Sequence, residues 1–79
     1  MTQAEFEVLH DKCAKALHDY TKASTTLCRL LGELADRTAT LEDRNRILTQ
    51  RTTENDLYQQ YYQIRARLLD AAKAGYGDL

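Results

Sequence analysis

The 79-residue chain has no proline, no tryptophan, three glycines and two cysteines. The missing proline and scarce glycine argue against a fold rich in loops or β-turns. No apolar run reaches the roughly 18–20 residues of a membrane span, or even the shorter core of a signal peptide. Eleven Lys and Arg stand against twelve Asp and Glu, which removes a strong whole-chain case for nucleic acid. The two cysteines, Cys13 and Cys28, lie fifteen residues apart. On one helix that is about 22 Å, well beyond the ~7 Å Cα separation a disulfide tolerates. Two reduced thiols in a cytoplasmic protein are expected. A redox switch across an interface has only Lys12 and Arg29 nearby to favour it. Without a disulfide framework, a chain this short cannot build a deep core and needs a partner or a copy of itself. Residues 1–79 are read as a single soluble domain.

What is present is helical periodicity. Phe6, Leu9, Cys13, Ala16, Tyr20, Ala23, Leu27, Leu30 and Leu34 follow a 3-4 spacing without a gap. This predicts a first helix over about 3–36 with one apolar seam. Leu17 and Leu31 widen the seam on one side, while Cys13, Ala16 and Ala23 are small enough for close helix approach. Thr40 and Asp43 form a capping-box pattern with acidic side chains in the first turn, so a turn is predicted at about 37–40. A second helix follows over about 41–74, with Ile47, Leu57, Tyr61, Ile64, Leu68 and Ala71 as its seam. Gly75 to Leu79 reads as a helix stop and a flexible tail.

The predicted fold class is therefore all-α, an antiparallel two-helix hairpin. Residues whose numbers total about 77 would pair, setting Leu9 on Leu68, Tyr20 on Leu57 and Leu30 on Ile47. Two rivals remain open. One continuous helix in a coiled coil keeps an apolar phase from Phe6 to Tyr76, but it would bury Arg37, Arg44, Arg51 and Arg65 in one layer. A break near Thr52-Thr53 would use a second capping-box match, Thr53 with Asp56.

The second helix carries more apolar surface than the first can cover. Leu41, Leu48, Tyr62, Leu69 and Tyr76 share one stripe, with Tyr58 beside it. The stripe predicts that the hairpin self-associates as a homodimer, forming a four-helix bundle, and the same surface type is expected to dock another protein, the two being compatible. Every arginine except Arg29 lies from residue 37 onward. Arg37, Arg44, Arg51 and Arg65 recur at multiples of seven. They could meet an acidic protein or phosphates, or be solvated and paired locally, as Glu42 or Asp43 with Arg46.

Glu7-x-x-His10 has the spacing used in dimetal bundles, but both residues flank the seam. His10-x-x-Cys13 has no second ligand pair. No metal and no cofactor is expected. Glycine-rich phosphate loops and nucleophile elbows are absent, so no enzyme is expected. The expected function is a small protein-binding module: a regulator, inhibitor, adaptor or chaperone-like scaffold. It would dock a partner through Arg44, Arg51, Tyr58, Tyr62, Arg65 and Leu69 and act by occupying the partner's site. The alternatives are a nucleic-acid-binding dimer using the arginine face and a purely structural bundle element of a larger assembly.

Overall fold

A computed structural model describes residues 2–35 and 37–74. The chain forms two helices, α1 (Gln3–Glu33) and α2 (Leu41–Lys73), joined by a short connection. They lie antiparallel along a rod of 57 × 16 × 15 Å. The hairpin is thus the observed architecture, and neither the continuous helix nor a break at Thr52-Thr53 occurs. The predicted stop at Gly75 and the tail to Leu79 lie outside the described residues.

Each helix begins on a threonine. The Thr2 hydroxyl oxygen accepts from the Glu5 N–H at 3.1 Å and so satisfies one of the free donors of the first turn of α1. The sequence reading passed over this cap, although Thr2-x-x-Glu5 has the capping-box pattern. At α2 the expected box is complete. Thr40 Oγ1 accepts from the Asp43 N–H at 3.1 Å, and the Thr40 N–H donates to Asp43 Oδ2 at 2.9 Å.

Helix α1 ends at Glu33, earlier than the predicted 36. Beyond it the Leu34, Ala35 and Arg37 N–H groups each donate three residues back, to Leu31, Gly32 and Leu34. These bonds tighten the chain after the last helical turn and satisfy terminal carbonyls without a glycine cap. The reversal is then fixed by Arg37, whose guanidinium grips Asp43 with two hydrogen bonds of 2.7 and 3.1 Å.

In α2 the helix runs unbroken through Thr52 and Thr53, and both hydroxyls donate to carbonyls one turn back, on Leu48 and Thr49. Thr25 and Thr26 do the same in α1. The threonines satisfy themselves locally and open no break.

All nine predicted seam residues of α1 turn inward and are at least partly covered. In α2 the covered positions are Asp43, Ile47, Gln50, Glu54, Leu57, Tyr61, Ile64, Leu68 and Ala71. Gln50 and Glu54 fill the gap left by the apolar reading, because the 3-4 spacing continues through them. Gln50 Nε2 donates across the interface to the Ala23 carbonyl at 3.1 Å. Tyr20 packs edge-on against Tyr58 at 5.3 Å and lies parallel to Tyr61 at 6.4 Å. Both Tyr20 contacts lie past the expected partner Leu57, the Gln50–Ala23 contact deviates the other way, and Leu30 and Ile47 line one cleft together as the register required. The core is thin. Ala23 is the only buried apolar side chain among the described residues, and none is fully enclosed.

Candidate partner-binding face

The seam divides each helix into two flanks. On α2, the positions one step past Asp43, Gln50, Leu57 and Ile64 carry Arg44, Arg51, Tyr58 and Arg65. The next positions around the helix carry Leu41, Leu48, Asn55, Tyr62 and Leu69. On α1 the corresponding positions carry Leu17 and Leu31, with Ala14 and Cys28 beyond. In an antiparallel pair like flanks meet. The opposite flank shows this directly, since Asp19 of α1 and Gln60 of α2 line one cleft, and Thr26 and Arg46 another. On the first flank Tyr58 reaches over to Tyr20 and touches Tyr62 at 6.1 Å.

The two sides of the rod therefore differ. The second flank is polar, and its clefts are shallow and open, lined by residues such as Lys12, Asp19, Asn45 and Thr49. Among the described residues, the first flank gathers seven of the eight large apolar side chains left exposed: Leu17, Leu31, Leu41, Leu48, Tyr58, Tyr62 and Leu69. Val8 alone lies elsewhere. Leu17 and Leu31 do not widen the hairpin seam as expected. They are 42% and 51% exposed and extend the α2 stripe onto α1. The sequence reading assigned that stripe to α2 alone and missed the share of α1, because the pairing of flanks needs the register. Tyr76, expected to extend the stripe, lies outside the described residues.

All six expected docking residues fall on this flank. Tyr58 and Tyr62 touch. Arg44, Arg51 and Arg65 project along it at intervals of about 10 Å or its multiples, without touching one another. None of the three has an ion-pair partner among the described residues. Arg37 is different. It binds Asp43, which is only 8% exposed, and so leaves the arginine row. The bond raises the Arg37 pKa and, with the Thr40 N–H, lowers that of Asp43 to about 2. The expected Glu42–Arg46 and Asp43–Arg46 pairs do not form. Asp43 is already taken, and the other described Arg–acid pair is Arg29 with Glu33 at 2.8 Å.

The remaining candidates are dispersed. Glu7 accepts from Gln3 Nε2 at 3.3 Å, and His10 Nδ1 lies 3.7 Å from Asp11. Cys13 sits half-covered in the seam while His10 is exposed, so the pair does not converge. Among the described residues no three His, Cys, Asp or Glu side chains could hold a metal ion. No described helix is long and apolar enough to cross a membrane. No protein-family model matches the chain, and no curated protein or solved structure is significantly similar to it.

Proposed function

We propose that this chain is a non-enzymatic protein-binding module that docks another protein on the flank bearing Tyr58, Tyr62 and Leu69 and works by occupying that protein's site. The observation that carries this reading is the segregation of exposed large apolar side chains, seven of eight among the described residues, onto one side of the rod. Such a face is costly in water and suits an interface, especially where tyrosines offer a packing ring and a wet hydroxyl. The thin core adds to the case, because a two-helix hairpin with one buried apolar side chain among its described residues gains stability from whatever covers it. Regulators, inhibitors, adaptors and small chaperones act by this kind of mass action. A cytoplasmic location belongs to the same reading.

The expected homodimeric bundle would use the same face. It sets Arg44, Arg51 and Arg65 of two copies on one covered surface, a like-charge arrangement that favours a different partner. The nucleic-acid reading loses Arg37 to Asp43 and keeps three arginines set among leucines and tyrosines. It would require binding that falls steeply with salt, and a shallower slope in Arg44→Ala or Arg51→Ala.

The test is a photo-crosslinking amino acid at position 62, introduced in the cells that make the protein. A defined protein adduct that disappears in Leu69→Asp is expected. Crosslinks confined to a second copy of the chain, or to nucleic acid, would overturn the reading.

A further inference from the structure

We infer that the occupant of this face is an acidic amphipathic helix of another protein, an inference that rests on the docking reading above. The argument is charge complementarity. Arg44, Arg51 and Arg65 are exposed on the apolar flank and free of ion pairs among the described residues. Of the described acidic side chains, Glu7 alone occupies a position on that flank, although acids outnumber bases over the whole chain. The face is therefore a cationic apolar strip on a chain of net charge −1.

The spacing defines the complement. The arginines form a row beside the leucine and tyrosine stripe and run parallel to the rod axis. A helix laid along the rod would set its apolar side chains on Leu48, Tyr62 and Leu69, as helices in grooves do through residues at turn spacing. Its edge would meet the arginine row, where Asp or Glu could accept the two-pronged guanidinium bonds that lysine cannot form. A basic helix would meet like charge along that edge. A second copy of this chain offers the same arginines and so is the poorer fit.

The experiment uses two labelled synthetic helical peptides with the same leucine stripe, one edged with glutamate and the other with lysine, and a mixed-sequence single-stranded oligonucleotide. Binding to the full chain is read by fluorescence anisotropy. The glutamate peptide is expected to bind at least about tenfold more tightly than either other probe. Arg44→Glu/Arg51→Glu/Arg65→Glu should reverse the peptide preference, and the triple Gln variant should abolish it. Circular dichroism confirms that each variant keeps its helices. Equal binding of both peptides, no binding of either, preference for the oligonucleotide, or a reversal variant that still prefers glutamate would each overturn the inference. A crosslinked protein whose contact helix is basic would overturn it too, yet leave the docking reading standing.

Discussion

Asp43 carries three tasks with one carboxylate: it caps α2, anchors Arg37 and closes the chain reversal. The hydrogen bonds from Arg37, then the Thr40 N–H, hold its pKa at about 2 against an ordinary 3.8. A depressed folded-state pKa adds stability that is fully present above the unfolded value and lost as pH falls through the folded one. The hairpin should therefore weaken between about pH 4 and pH 2. Asp43→Asn should lose that part of the acid transition in pH-dependent melts, and an unchanged acid profile would show that the carboxylate is not held as described. Thr40→Ala should cost about 1 kcal/mol through the lost cap. Ala23 tests the packing. It is 7% exposed beneath Gln50, so Ala23→Leu must push the helices apart and should cost about 1–3 kcal/mol by chemical denaturation.

At the scale of the elements, much was legible. The seam of α1 and the cap of α2 were readable from spacing, because apolar side chains at 3-4 intervals and a Thr-x-x-Asp start act locally. Three features were not. The end of α1 depends on bonds from Leu34, Ala35 and Arg37, which only the reversal determines. Gln50 and Glu54 are polar seam residues that an apolar pattern overlooks. The union of Leu17 and Leu31 with the α2 stripe exists only once the two helices are paired. Gly32 gives a direct test of this scale. It lies inside α1, and an added Cβ would meet nothing within 4 Å. Gly32→Ala should raise stability by about 0.5–1 kcal/mol, seen as a higher melting midpoint. A lower midpoint would mean that the turn after Glu33 needs the glycine. Gln50→Leu should keep both helices but weaken the choice of register, since it removes the Gln50–Ala23 hydrogen bond across the pair. Doubled amide resonances in an NMR spectrum would report this, and a single sharp set would count against that role.

For the whole molecule the decisive feature is asymmetry: a polar, open side and an apolar side that carries three arginines with no ion-pair partner among the described residues. The six residues proposed for docking lie on one flank of α2, and their spacing alone was enough to group them there. Spacing could not remove Arg37 from the row, because the bond to Asp43 is made only when the chain turns back. The account stands on whether this surface is open to a partner or covered by a second copy. The most direct test is solution mass by light scattering behind size exclusion, at low and at high salt. The account predicts the mass of one chain at low salt, with self-association growing only as salt screens the arginines of one copy from those of another. A stable dimer at low salt that added salt loosens would contradict it, and the face would then belong to the chain's own bundle.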